Sequence, residues 1–323
     1  MSRLTLLHAV SLALALLYAQ SSAAQSYPER TVKIIGSTAA GGQSDRLARL
    51  VAEGLDRVWD APIVVEPRPG ADGTIAAEAV ARANADGYTL LLGGQSNLAL
   101  VAAQGRSLRY DPVADFATIG RIARVPLVLA VNARVPATTV SELVAIAKAR
   151  PGTMSYASTG IQSRLAGELF KSTGELEIVE VPYKGLPAAL ADLLAARIDL
   201  GFFDASAVAQ HAETGNLRLL AAAGSRRSAA APNVPTFEEL GVRGIRVEPW
   251  YGLLAPARTP PAALAKLRSA LADLRRTPWF QQQLQQLGYE PFDDTPEQFA
   301  AEIVSDIARY ESVLRAAKLA APP

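Results

Sequence analysis

From residue 31 onward the chain alternates short apolar runs with longer amphipathic stretches. Val32-Lys33-Ile34-Ile35, Ile63-Val64-Val65 and Thr89-Leu90-Leu91-Leu92 read as strands. Residues 44–59 read as a helix, because Leu47, Leu50, Val51, Leu55 and Val58 share one face while Arg46, Arg49, Glu53, Asp56 and Arg57 share the other. Residues 72–83 read as a second helix with Asp72 as its N-cap. Strands and helices in this alternation predict a mostly parallel sheet with helices on its faces.

The alternation then changes partner. Residues 125–131 read as a long buried strand that passes between domains, and residues 140–149 as a helix stopped by Pro151-Gly152. Strands are expected over 154–157, 177–181, 198–203 and 217–223, with helices over 164–172 and 187–196. Residues 226–235 are polar and punctuated by proline, so they read as a loop. A strand over 248–255 returns the chain to the first domain. Pro260-Pro261 opens a helix over 262–274, a short helix covers 281–287, and a terminal helix covers 295–317. In Thr295-Pro296-Glu297-Gln298, threonine caps that last helix and Gln298 holds the capping-box position. No internal repeat of solenoid length is present. The expected organisation is one domain from residues 25–125 and 248–323, and a second from residues 126–247.

The N-terminus adds an address. Arg3 precedes an apolar run over residues 4–18, and Ser21-Ser22-Ala23-Ala24 places small residues where a signal peptidase reads. Residues 1–24 are therefore expected to be a cleaved signal peptide, and the run is short for a membrane span. The chain has no cysteine, which excludes disulfides, thiolate metal sites and the lipid attachment that a cysteine after the cleavage site would permit. Lysine plus arginine total 32 against 31 aspartate plus glutamate, a balance that gives no support to nucleic-acid binding. A soluble periplasmic protein is expected.

Catalytic signatures are scarce. Outside the signal peptide the sole histidine is His211, near a helix end, so a Ser-His-Asp hydrolase would depend on it alone. Gly94-Gln95-Ser96-Asn97-Leu98 fails the nucleophile-elbow pattern at its last position. No metal-binding histidine pair, Walker loop or dinucleotide fingerprint occurs, so neither a metal nor a cofactor is expected. Asp293-Asp294 reads as a solvated turn.

Two turns carry chemistry. Gly36-Ser37-Thr38-Ala39-Ala40-Gly41-Gly42-Gln43-Ser44-Asp45 runs from a strand into an amphipathic helix. Such a turn aims backbone N–H groups and a helix dipole at an anion, and glycine admits close approach. Ser37, Thr38, Gln43 and Ser44 add side-chain donors; a tight strand-to-helix connection explains the same residues equally well. Asp45 reads either as a helix-terminus residue or as an acceptor facing a ligand. Tyr156-Ala157-Ser158-Thr159-Gly160-Ile161-Gln162-Ser163 repeats the chemistry in the second domain, so the two turns can face each other across a cleft. Gln95, Ser96 and Asn97 follow the third strand on the sheet edge where open α/β sheets bind ligands. Asp204 ends a buried strand, as a ligand acceptor or as a cap for the residues that follow.

Several strings, in order, resemble a known family. Val65-Glu66-Pro67-Arg68-Pro69-Gly70-Ala71, Asp86-Gly87-Tyr88-Thr89-Leu90-Leu91, Leu165-Ala166-Gly167-Glu168-Leu169-Phe170-Lys171, Val181-Pro182-Tyr183-Lys184-Gly185, Pro232-Asn233-Val234-Pro235-Thr236 and Gly252-Leu253-Leu254-Ala255-Pro256 are similar to segments of the tripartite tricarboxylate transporter solute receptors, the Bug family. The resemblance runs from about residue 27 to 318. It implies an α/β Venus flytrap of the type II periplasmic-binding-protein kind, two doubly wound domains with a ligand cleft between them. It also implies a small carboxylate ligand, a two-component membrane permease of the TctA/TctB type as partner, a monomer, and Tyr183 and Lys184 near the site. Not an enzyme but a receptor is thus expected; an exported α/β enzyme acting on a small carboxylate is the competing reading, and docking to a sensor protein a further one.

Departures fall at the expected pocket. The family's first loop reads P-P-G-G-x-x-D, whereas this chain has Ala39-Ala40-Gly41-Gly42-Gln43-Ser44-Asp45 and so lacks the preset geometry of proline. The second loop is about two residues shorter than the family's, Arg164 stands where a histidine is usual, and Leu186 where a serine commonly follows. A guanidinium suits bidentate carboxylate recognition, so Arg164 reads as a clamp for a second carboxylate or as a solvent-facing helix residue.

Overall fold

The computed structural model describes residues 27–59 and 61–316; the signal-peptide reading of residues 1–24 lies outside them. Strand β1 (Val32–Gly36) leads to helix α1 (Gln43–Asp56), then β2 (Ile63–Pro67), α2 (Thr74–Ala81), β3 (Thr89–Gly94) and β4 (Phe116–Arg124). There follow β5 (Leu127–Asn132), α3 (Val140–Ala149), β6 (Ser155–Ser158), α4 (Ile161–Gly174), β7 (Val179–Pro182), α5 (Leu186–Leu194), β8 (Leu200–Asp204), α6 (Ala205–Glu213) and β9 (Leu217–Ala222). The chain closes with β10 (Trp250–Pro256), α7 (Pro261–Arg276), α8 (Pro278–Gln286), β11 (Glu290–Pro291) and α9 (Pro296–Ala316). Among the described residues these build a six-stranded sheet, β11-β4-β10-β3-β1-β2, and a five-stranded one, β7-β6-β8-β5-β9.

The apolar runs of β1, β3 and β5 are buried on both faces. Val32 and Ile34 of β1 and Leu90 and Leu92 of β3 pack under α1 and α7, while Ile35 and Leu91 point to the opposite side. In β5, Val128 and Ala130 face one cluster and Leu127, Leu129 and Val131 the other. Unbroken valine, isoleucine and leucine runs are what a strand covered on both sides requires. The capping box of α9 forms as the sequence indicates: the Thr295 amide donates to Gln298 Oε1 at 2.9 Å, and the Gln298 amide donates to Thr295 Oγ1 at 3.2 Å.

Several expectations are corrected. The sheets are mixed rather than mostly parallel, because β10 and β11 run against their neighbours in one and β5 in the other. The cause is topological. β4 ends at Arg124 and β5 starts at Leu127, so β5 enters the second sheet at the junction and must run away from it. The strand expected over 125–131 is β5, starting two residues later, because Val125 and Pro126 form the crossing from β4 and Pro126 has no N–H for the ladder. β4 itself went unread: Thr118, Gly120, Arg121 and Arg124 interrupt its apolar pattern. Residues 96–103, a π-helical turn at Ser96–Leu100 running into Val101–Ala103, were also missed. Asp72 does not cap α2; it sits in a short helical turn at φ +57°, and Gly73 holds the cap position.

Candidate functional site

Strand direction brings the two turns to one place. β1, β3 and β4 run the same way, since β10 is antiparallel to both β3 and β4 and β1 is parallel to β3. Their C-terminal ends therefore lie on the edge where β4 leaves for the second sheet. β6, β7 and β8 run against β5, with Asp204 beside Leu127, so their C-terminal ends meet the same junction. Both strand-to-helix turns open there, as the crevice rule for open α/β sheets requires.

The first turn is built by its own side chains. The Gly42 amide donates to the Ala39 carbonyl at 2.9 Å, and Gly41 has φ +79°. That is a type II turn with Ala40 at its second position and glycine where φ must be positive. A Cβ on Gly42 would lie 2.7 Å from Thr38 Oγ1 and 2.9 Å from the Ala39 oxygen, so this glycine is required by space. Ser37 donates its amide to Ser44 Oγ at 3.3 Å, and the Asp45 amide donates to Thr38 Oγ1 at 3.1 Å. Ala39, Ala40 and Gly41 are exposed. Gln43 contributes the first residue of α1.

Asp45 faces inward. Its carboxylate is 1 % exposed, accepts the Gly41 N–H at 2.8 Å, and takes Arg49 Nε and Nη2 at 2.9 and 3.1 Å. Burial opposes its ionisation, but the Arg49 bonds and the Gly41 N–H prevail and hold its carboxyl below the usual range. Of its two readings, helix-terminus residue or ligand acceptor, these bonds fit the first: Asp45 braces the turn.

The third-strand residues divide. Asn97 is buried, accepts the Gly94 N–H at 2.8 Å and donates to the Gly73 carbonyl at 3.2 Å. A Cβ on Gly73 would lie 2.9 Å from Ser37 Cβ and 3.0 Å from Asn97 Cβ, so the ends of β1 and β3 meet at this glycine. Ser96 is half-buried. Gln95 turns the other way: its Nε2 donates to the Glu248 carbonyl, Asp306 and Tyr310 at 3.1, 3.0 and 2.9 Å. It is a strut between the π-helical turn and α9, which corrects its placement in the ligand wall.

The second turn lines a cavity of about 360 Å³. Ser158, Thr159, Gly160, Arg164 and Tyr183 wall it from the second sheet, and Asp72, Gln104 and Leu314 from the first. Asp72 adjoins Gly73, so the base of the first turn stands one residue behind this wall. Ser163 is internal: its Oγ accepts the Thr159 N–H at 2.8 Å and bonds the Gly160 carbonyl at 3.0 Å. Tyr183 donates its amide to the Ser158 carbonyl at 2.8 Å and its hydroxyl to Asp192 at 2.8 Å. Lys184 is exposed and is not among the cavity's lining residues.

Arg164 lines the cavity with its side chain 51 % exposed, and its Nε donates to Glu180 Oε2 at 3.1 Å. Glu180, which sequence reasoning missed, also accepts Ser158 Oγ at 2.6 Å. Its signal was available only as a lone acid within an edge strand. Asp204 stands at the start of α6, beside the β10 side of the junction. Burial first, and the Asp204 charge second, push the Tyr251 hydroxyl well above its ordinary pKa.

Comparison with known proteins matches this architecture. Residues 47–319 fit the model of the tripartite tricarboxylate transporter family receptor. Protein BugT of Bordetella pertussis is 34 % identical over 295 residues, covering 90 % of each chain. The R. palustris protein Rpa4515, solved with adipate, is 33 % identical with a TM-score of 0.77, covering 91 % of this chain and 99 % of its own. MatC from Rhodopseudomonas palustris, solved with bound malate, is 28 % identical with a TM-score of 0.73, covering 89 % of this chain and 100 % of its own. With its two sheets, its crossings and its paired turns, this chain belongs to the tripartite tricarboxylate transporter receptor family.

Proposed function

We propose that this protein is a periplasmic receptor that captures a small carboxylate between two domains and delivers it to a tripartite-type membrane permease. The observation that carries the reading is a cavity walled from both sheets, at the junction where both strand-to-helix turns open. One ligand carboxylate docks on the exposed backbone of the Ala39–Gly42 turn, and another polar group enters the cavity beside Thr159, Gly160 and Arg164. The domains comprise residues 25–125 with 248–323, and residues 126–247, and they close by a hinge at the crossings. Export follows from cleavage of residues 1–24. Among the described residues no helix is long and apolar enough to cross a membrane. The permease is of the TctA/TctB type, the receptor works as a monomer, and a sensor protein is a further candidate partner.

The adipate and malate held by the two R. palustris relatives support the ligand class. Among the residues lining the cavity there is no imidazole, since His211 lies on α6, and this favours binding over hydrolysis. A thermal-shift screen of carboxylates on protein unfolded and refolded to strip bound ligand tests the proposal. At least one carboxylate is expected to raise Tm, because a ligand that binds only the folded state stabilises it. A Tm raised by neutral sugars and by no carboxylate would refute the ligand class.

A further inference from the structure

The charges in the cavity wall do not sum to those of a simple anion site. Asp72, Glu180 and Arg164 line it directly, two carboxylates against one guanidinium. Arg106 pairs with Asp72 at 2.6 Å but is not part of the wall. A site built only for acid groups would place donors and cations there and keep carboxylates out, because like charges disfavour one another at close range.

Glu180 is held without being used up. Ser158 Oγ occupies Oε1 and Arg164 Nε occupies Oε2, one donor on each oxygen. Each carboxylate oxygen accepts about two hydrogen bonds, so Glu180 retains acceptor capacity toward the cavity. Arg164 in turn meets Glu180 through Nε, and its half-exposed side chain keeps an Nη edge for a carboxylate. A cation and an anion thus stand side by side on one wall, fixed to each other.

Resting on the receptor reading above, we propose that Glu180 makes the cavity selective for carboxylates that carry a protonated amine. The ligand's ammonium donates to Glu180 while its neighbouring carboxylate meets Arg164. An acid without the amine meets Arg164 but also faces Glu180 with nothing to give it. The pairing Arg164–Glu180 then has two duties: it fixes both side chains when the cavity is empty, and it presents opposite charges at the spacing of an amino acid head group.

Calorimetric titration with matched ligands tests this directly. Succinate, L-malate, L-aspartate and N-acetyl-L-aspartate share one skeleton, as do glutarate, 2-hydroxyglutarate, L-glutamate and N-acetyl-L-glutamate. In at least one set the free amine is expected to bind about tenfold or more tightly than the bare, hydroxylated or acetylated acid, the range of one charge-assisted hydrogen bond. Glu180→Gln keeps one oxygen to accept from Arg164 and turns its NH2 to the Ser158 hydroxyl, which can accept; it is expected to abolish the preference, whereas Arg164→Gln weakens amine and bare acid alike. The wild-type series is decisive even where a variant folds poorly. Bare or hydroxylated acids binding as tightly as the amines overturn the proposal and leave the receptor reading intact, as does a preference that survives in Glu180→Gln. Failure of every carboxylate to bind overturns both.

Discussion

The backbone N–H of Val125 donates to the carbonyl of Pro249 at 2.8 Å, so the two chain crossings between the sheets are bonded to each other. The residues just before and beside them form a buried cluster of charges. Arg124 is fully buried, pairs with both Glu248 and Glu290, and donates to the Arg227 carbonyl at 3.2 Å. Ser225 donates to Glu248 at 2.9 Å, and Ser228 donates to Glu290 at 2.8 Å. Removing the cation leaves two buried carboxylates uncompensated. Arg124→Ala should cost about 3–5 kcal/mol, read from the denaturant midpoint. The triple change Arg124→Met, Glu248→Gln, Glu290→Gln should cost less than the single one. The reverse order would show that these charges are not coupled.

The same cluster sets an acid limit. Burial opposes ionisation of Glu248, but the charge of Arg124 and the bonds from Arg124 and Ser225 outweigh it and hold the carboxyl below its ordinary range. A carboxylate depressed in the folded state adds stability that is complete above its unfolded pKa, about 4.3, and is lost as pH falls through the lower folded value. Tm followed from pH 7 to 3 should decline below about pH 4.3, and more steeply in the wild type than in Glu248→Gln. Parallel curves would remove Glu248 from the account.

At the first turn, two substitutions should act in opposite directions. Ala40 occupies the second position of a type II turn, where proline is favoured. Ala40→Pro should stabilise by about 0.4–1 kcal/mol by restricting the unfolded chain. Gly42→Ala would drive a Cβ against Thr38 Oγ1 and the Ala39 oxygen. It should cost about 1–3 kcal/mol and weaken carboxylate binding, both measurable by thermal and calorimetric titration.

The Leu165-Ala166-Gly167-Glu168 string has a packing explanation. A Cβ on Gly167 would lie 2.2 Å from the Tyr156 ring, whose hydroxyl donates to Glu168 at 2.7 Å. The glycine lets α4 ride over that ring, and Tyr156 stands two residues before Ser158 in β6. Gly167→Ala should lower stability by about 1–3 kcal/mol and broaden or shift the signals of residues 158–160 in an NMR spectrum. Unmoved signals there would separate the ring from the turn.

How much was legible follows from the range of the interactions. β1, β3 and β5 were readable because burial on both faces leaves an unbroken apolar run, and the Thr295 cap because its partner is three residues away. β4 was not, because Arg121 and Arg124 sit in it for the sake of Asp294, Glu248 and Glu290, partners more than 120 residues distant. Gln95 misled for the same reason: its position after β3 marks a ligand edge, but its bonds go to Asp306 and Tyr310 on α9. Two readings of Asp45 stay open in the sequence, since only the fold puts the Gly41 N–H against its carboxylate. Glu180 became visible once β6 and β7 paired and brought Ser158 to its carboxylate.

The central claim is capture of a small carboxylate without chemistry. Isothermal titration of refolded, ligand-free protein with the carboxylate that most raises Tm, followed by analysis of the ligand recovered from the same cell, tests it most directly. Saturation at one ligand per chain with the ligand recovered unchanged is the predicted result. Accumulation of a product, or no saturable heat from any carboxylate, would contradict it.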